Sequence, residues 1–267
     1  VVYICIMKNG KLTFNDGISG YSEALSFIFT KKLWFYFFFP LVLNLVLFIL
    51  GFRLVDELST SINEWVNSFL TDPEGEFGWL ISLLNSVIYW LVWLTTKVVF
   101  FIIFSYIGGY ATMIVLSPIL AIISEKTASI ITGKKYPFDI LQLTRDIVRA
   151  ILIALRNMLI QFAFLVGFFI ISFIPIIGWL ISFVGNFLVA SYFYGFAFID
   201  YTNERNRLSL KQSIQFVRTN KWFAIGIGTI FALCFMVPLI GGIIASFACI
   251  VSVVAATIKI EKAKLKN

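Results

Sequence analysis

The chain has no histidine, three cysteines in 267 residues, and a charged fraction of only 13%. Without histidine it lacks the commonest general base and a frequent metal ligand. Cys5, Cys234 and Cys249 form no Cys-x-x-Cys pair, so neither a zinc site nor a dithiol redox motif is expected. Cys234 and Cys249 sit in apolar runs and read as small buried hydrophobes. The apolar runs also lack paired carboxylates and any Ser–Lys arrangement at a convincing spacing, so no catalytic residue, metal or cofactor is expected and the chain does not read as an enzyme. Alternation of apolar and polar residues is absent as well, which excludes a transmembrane β-barrel.

Apolar residues fill the chain instead. They make up 60% of it, and the mean hydropathy of +0.95 exceeds what a soluble core can hide. Charge-free runs cover Leu33 to Phe52, Trp79 to Thr96, Val98 to Ser124, Asn157 to Ile199 and Trp222 to Ile258. Since about 20 helical residues cross a bilayer, the expected class is an all-α integral membrane protein embedded in lipid. No cleavable leader is expected, because the apolar Val1 to Met7 follows no basic region and precedes no small-residue cleavage site.

Charge sets the expected orientation. Residues 53–77 carry Arg53 against Asp56, Glu57, Glu64, Asp72, Glu74 and Glu76, a net −5 that leaves +12 for the rest of the chain. Basic residues near spans stay in the cytoplasm, so the acidic segment is expected outside and both termini inside. That balance also makes a nucleic-acid partner unnecessary to explain the net +7. A single membrane domain is expected: a cytoplasmic segment with an amphipathic helix over 1–32, a first span over 33–52, an acidic external loop over 53–77 and a long second span over 78–124. Basic cytoplasmic segments at 125–156 and 200–221 then alternate with hairpins at 157–199 and 222–258, before a basic tail at 259–267. The second span is one long helix bent near Pro118 or, alternatively, a pair of arms turning at Thr95 to Lys97.

The second half repeats at an offset of 63 residues. FIPIIGW around Pro175 matches MVPLIGG around Pro238, Gly178 aligns with Gly241, and Asn157 with Asn220. Before each hairpin comes a basic amphipathic stretch, with Gln142, Arg145, Asp146, Arg149 and Arg156 on one helical face and Lys211, Gln215 and Arg218 on another. No charge lies at either Pro-x-x-Gly turn, which favours hairpins that enter from the cytoplasm and turn within the membrane over hairpins that cross it fully.

FPLVLN at 39–44, SPILAIISEKTASIITG at 117–133, IDY at 199–201, SLKQSIQFVRTNK at 209–221 and the paired turns, taken in order, resemble the CysZ-type sulfate permeases and the wider etoposide-induced family. The likeness runs from about Gly20 to Lys262. It implies two long transmembrane helices, two partly penetrating hairpins and assembly into homo-oligomers in a bacterial inner membrane. It further implies uptake of sulfate or a similar oxyanion for cysteine synthesis, or a scaffold role as in the eukaryotic branch. The family's sulfate-binding arginine pair falls here on Trp34 and Phe35, so Lys31 and Lys32, three residues earlier, become the candidate anion site. Pro118 and Glu125 match the family's proline and glutamate and become pore or gating candidates, although Ile122, Ile123 and Ser124 replace the small residues of that motif. Ser105, Gly108, Gly109 and Ala111 suit close helix packing.

Orientation is testable by single-cysteine labelling in a background without Cys5, Cys234 and Cys249. An impermeant reagent added outside sealed cells is expected to modify a cysteine at Ser68 and not one at Thr132; the reverse pattern would refute the charge reading.

Overall fold

A computed structural model describes residues 11–68, 78–134, 140–237 and 240–266, and among these it contains helices and no strands. The helices are α1 (Phe14–Thr30), α2 (Phe38–Asn67), α3 (Gly78–Thr132), α4 (Ile140–Ile171), α5 (Ile177–Arg205), α6 (Leu210–Thr219), α7 (Lys221–Phe235) and α8 (Gly241–Leu265), with a short 3-10 helix at Leu33–Phe37. Five of the described helical segments are long and apolar enough to cross a membrane, or six if α1 and the start of α2 count as one span broken by a 108° bend. The class is thus an all-α membrane protein.

Two compact units arise: Val42–Gly108 forms one, and Val1–Leu41 with Gly109–Asn267 forms the other. In the smaller unit, helix α2 continues to Asn67, so the first half of the acidic segment, expected as loop, is helical, with the side chains of Glu57 and Glu64 exposed. Asp72, Glu74 and Glu76 lie outside the described residues. Helix α3 passes unbroken through Thr95 to Lys97, which removes the alternative turn there; Lys97 lies over the ring of Trp93 at 5.7 Å.

In the larger unit, helix starts follow sequence chemistry. Thr13 caps α1 and Ser209 caps α6, each in a reciprocal capping box, with Asp16 and Gln212 returning to the cap backbone. Helix α1 is a core element rather than a surface one: Gly17, Gly20, Tyr21, Ala24 and Ile28 are buried, at the spacing of one helical face. The Tyr21 hydroxyl donates to the Ile227 carbonyl and shares a hydrogen bond with Ser252 Oγ at 2.6 Å, tying α1 to α7 and α8. The repeat is structurally unequal. The basic stretch and first arm merge into the single helix α4, whereas Asn220 separates α6 from α7.

Helices meet where side chains are missing. A Cβ at Gly195 would strike the Ala224 carbonyl oxygen, one at Gly228 the Ser191 carbonyl oxygen, and one at Gly226 the Phe14 carbonyl oxygen. These contacts seat α7 directly on the backbones of α5 and α1. Around them Phe198, Phe223, Phe231, Ile227, Val253 and Val254 are buried, with the rings of Tyr194 and Phe231 at 4.7 Å and those of Phe198 and Phe231 at 5.1 Å. Gly228→Ala is expected to destabilise the protein by about 1–3 kcal/mol, as overpacking does. Gly167→Ala, at a helical position with nothing within 4 Å of the added methyl, should be neutral or stabilising. Thermal unfolding of both variants in one detergent checks the contrast.

Candidate functional site

The lysine corner, the SPILA segment of α3 and the hairpin turns are the sequence-derived candidates, and each has a definite setting. Lys31 is the C-terminal cap of α1, and Lys32, at φ 56°, adopts the left-handed conformation that turns the chain into the 3-10 helix. Both lysines are exposed. Lys32 is the N-cap of that 3-10 helix, and α2 begins only at Phe38. Lys31 thus lies at the negative end of the α1 dipole, which suits a cation. Exposed Phe29, Trp34, Phe35 and Phe38 surround this corner in sequence, the composition of a membrane-interface anchor.

Pro118 is accommodated inside α3 by its predecessor. Proline cannot donate to the carbonyl four residues back, that of Ile114. Ser117 Oγ donates to that oxygen at 2.7 Å and replaces the lost hydrogen bond. Pro118 and Glu125 lie two turns apart, on one face of α3, and both are half-buried. Next to Glu125, Ser124 is fully buried and accepts from Arg205 Nη1 on both its hydroxyl and its carbonyl oxygen.

Arg205 belongs to a buried polar cluster that sequence reading did not assemble. Its Nη2 pairs with Glu261 Oε1 at 2.6 Å, and Lys264 Nζ reaches the same oxygen at 2.7 Å. Thr257 bridges Ser124 and Thr202 through its hydroxyl, at 3.1 and 3.2 Å. A second group lies farther back along α5: Arg149 grips both oxygens of Asp200, at 3.1 and 3.0 Å, while Ser213 donates to Oδ1 and Asn203 donates to Ser213. A cavity of about 20 Å³, room for one water, is lined by Ile114, Ile153, Ala154, Ala197, Asp200, Tyr201 and Glu204. It places two carboxylates beside the residue whose carbonyl Pro118 leaves to Ser117.

The sequence pattern puts Arg149 on one basic face with Arg145 and Arg156; its pairing with Asp200 takes it out of that face. The signal available in the sequence was the run IDYTNER, which puts Asp200, Glu204 and Arg205 at the end of an otherwise apolar helix. No group of three or more metal-ligating side chains occurs among the described residues.

At the first hairpin, Pro175 lies in the turn between α4 and α5, and Gly178 in the first turn of α5. A Cβ at Gly178 would strike the Ile171 carbonyl oxygen, just as one at Gly241 would strike that of Phe235. The aligned glycines therefore do the same job, letting the second arm start against the last carbonyls of the first. Phe173, Ile174, Ile176, Ile177 and Trp179 are exposed around this turn, an apolar tip without charge. Pro238 lies outside the described residues.

The profile of the family described as "Sulfate transporter CysZ/Etoposide-induced protein 2.4" matches residues 21–245. Three relatives each named "Sulfate transporter CysZ" align with the chain. One from Vibrio cholerae is 22% identical over 234 residues, 86% of this chain and 88% of the relative. One from Pseudomonas aeruginosa is 24% identical over 221 residues, 82% of this chain and 85% of the relative. The third, from Pectobacterium atrosepticum, is 21% identical over 210 residues, 78% of this chain and 72% of the relative.

The shared carboxylate predicts an asymmetry. Glu261→Gln removes the partner of two cations, whereas Arg205→Gln leaves Glu261 balanced by Lys264. Breaking a buried pair costs about 3–5 kcal/mol, and Glu261→Gln is expected at the upper end with Arg205→Gln below it. Denaturant unfolding of both variants tests the order.

Proposed function

The chain belongs to the sulfate transporter CysZ/etoposide-induced protein 2.4 family, and from that premise we propose that it is a passive or weakly coupled permease for sulfate or a related oxyanion. It works as a homo-oligomer in the bacterial inner membrane, with both termini in the cytoplasm. The observation that carries this reading is the extent of the match, since the Vibrio and Pseudomonas relatives named as sulfate transporters align over 88% and 85% of their own length.

The polar layout supports it. Cations at the ends of the apolar segments draw the anion in, and the hairpins turned at Pro175, Gly178, Pro238 and Gly241 stop within the membrane and leave a path of low lipid contact. In support of a short second hairpin, the 15 residues of α7 rise about 22 Å, less than a hydrocarbon core of about 30 Å, whereas the arms of the first hairpin are each long enough to cross. Lys31 and Lys32 act as an entry site, and Pro118 with Glu125 shapes the barrier.

A scaffold without transport is the second reading. It is favoured by Trp34 and Phe35 at the positions of the family's arginine pair and by the setting of the lysines at a helix C-terminus. Labelled sulfate flux into liposomes separates the two. Flux above that of empty liposomes and inhibited by competing oxyanions is expected; its absence, together with no saturable binding, leaves the scaffold. Replacing Lys31 and Lys32 by glutamine is expected to weaken sulfate binding by about tenfold, the worth of one charge-assisted contact. Glu125→Gln should change flux more than binding, because a carboxylate at a pore mouth repels anions. All variants are compared at one ionic strength.

A further inference from the structure

Acids and bases of the larger unit are sorted by depth. Among its described side chains Asp200, Glu204 and Glu261 are buried and Asp16, Glu23 and Glu125 half-buried, so the exposed charge is entirely positive. Exposed lysines and arginines occur on several elements, and charge by itself singles out none of them. Helix α6 differs from the rest in how its sides are used.

One side of α6 belongs to the protein. Ser213, Phe216 and Val217 are buried, and the helix is fastened at both ends. Near its start Ser209 caps it, and Ser213 donates to Asp200 of α5 while accepting from Asn203 at 2.8 Å. At its end Asn220 donates to the Phe216 carbonyl at 3.0 Å and accepts from the Leu12 amide at 3.1 Å. An amphipathic helix on a bilayer commonly puts its apolar face into lipid; here the protein already fills that role. The opposite side is therefore displayed by a helix held against rotation.

Successive residues turn by about 100°, which fixes the order of side chains around the displayed side. Beside buried Val217 come Leu210, 40% exposed, and half-buried Ile214, an apolar edge. Arg218 and Lys211 follow, both exposed, and Gln215, Thr219 and Gln212 complete the arc with neutral polar groups. This gradation from apolar through cationic to neutral polar suits a helix at the boundary between acyl chains and headgroups, with its cations at phosphate level. Flanking residues continue the pattern. Arg207 and Lys221 are exposed, and residues 206–222 contain four cations and no carboxylate. The Lys221 ammonium stands over the ring of Trp222 at 5.6 Å. Trp222, 57% exposed in the first turn of α7, opens the charge-free run to Ile258, the position of an aromatic interface residue.

We propose that the outer face of α6, with Arg207, Lys211, Arg218, Lys221 and Trp222, is a docking surface for the headgroups of anionic phospholipids. The charge would serve a soluble acidic partner equally well, but such a partner has no use for Leu210, Ile214 and Trp222 beside it. Lipid phosphates accept from the guanidinium and ammonium groups, while the apolar edge and the indole rest against acyl chains. Docking sets the depth at which α7 enters the bilayer. The surface requires only a membrane and stands whether or not the chain carries sulfate.

The test uses the purified full chain in nanodiscs of phosphatidylcholine with or without phosphatidylglycerol. The phosphatidylglycerol retained on extraction into detergent is measured for the parent, for Lys211→Gln combined with Arg218→Gln, and for Leu210→Gln. A control pair, Lys126→Gln with Lys134→Gln, removes the same charge from other exposed positions. Lys211 and Arg218 point away from the core, so their replacement should leave the fold intact, with gel filtration as the check; the two single variants, each expected to show part of the loss, serve if the pair fails to fold. The parent is expected to retain phosphatidylglycerol over phosphatidylcholine, and this enrichment should fall about tenfold in the α6 pair, a few-fold in Leu210→Gln and little in the control. High salt should weaken the parent's enrichment as well. Equal losses in the α6 pair and the control would reduce the effect to net charge and overturn the site. Unchanged enrichment in the folded α6 pair overturns it too, and binding of a polyglutamate peptide to the parent but not to that pair would then assign the face to a soluble acidic partner. Sulfate flux of the parent, measured alongside, bears on the permease reading alone.

Discussion

Backbone-to-backbone contact at glycine is the constraint on which the larger unit depends. Helix α7 meets α5 at Gly195 and Gly228 and α1 at Gly226, and in each case a carbonyl oxygen occupies the space a methyl group would need. In lipid, apolar side chains gain little from leaving their surroundings for one another, so close packing of bare backbone carries much of the association between helices. Once α7 is seated, α8 closes against α1 through Tyr21 and Ser252, and Glu261 near its end comes within reach of Arg205. The buried charges are thus positioned by packing established at some distance along the same helices.

What was legible in the sequence followed from local rules. The two turn glycines could be read from the repeat, and their shared role is visible in the carbonyls they admit. Capping boxes at Thr13 and Ser209 depend on residues three apart and needed no tertiary information. Pairings across long separations were not legible. Arg149 and Asp200 are 51 residues apart and Arg205 and Glu261 56 apart, and periodicity assigns each of them only to a face. Composition also misled in two places. Acid density suggested loop where α2 runs on as helix, and the amphipathicity of α1 suggested a surface element where its small residues form a core contact.

The polar groups of α5 show how one apolar helix serves several neighbours. Asp200 faces α4 through Arg149, Thr202 faces α8 through Thr257, and Arg205 reaches both α3 and α8. Successive residues of a helix point about 100° apart, so a short polar run necessarily addresses different partners. Clustering such residues at the end of α5 leaves the rest of the helix free of charge.

The Ser117–Pro118 pair has a consequence for how the sequence could have arisen. A serine at 117 beside an ordinary residue at 118 costs little, since its hydroxyl shares a carbonyl that already has a backbone donor. A proline at 118 without that serine strands the Ile114 oxygen inside a helix where water is scarce, at a cost of about 3 kcal/mol or more. The mutational path is therefore directional. Serine must come first, and once proline has followed, loss of the serine is penalised as it was not before, so that the earlier substitution becomes entrenched by the later one.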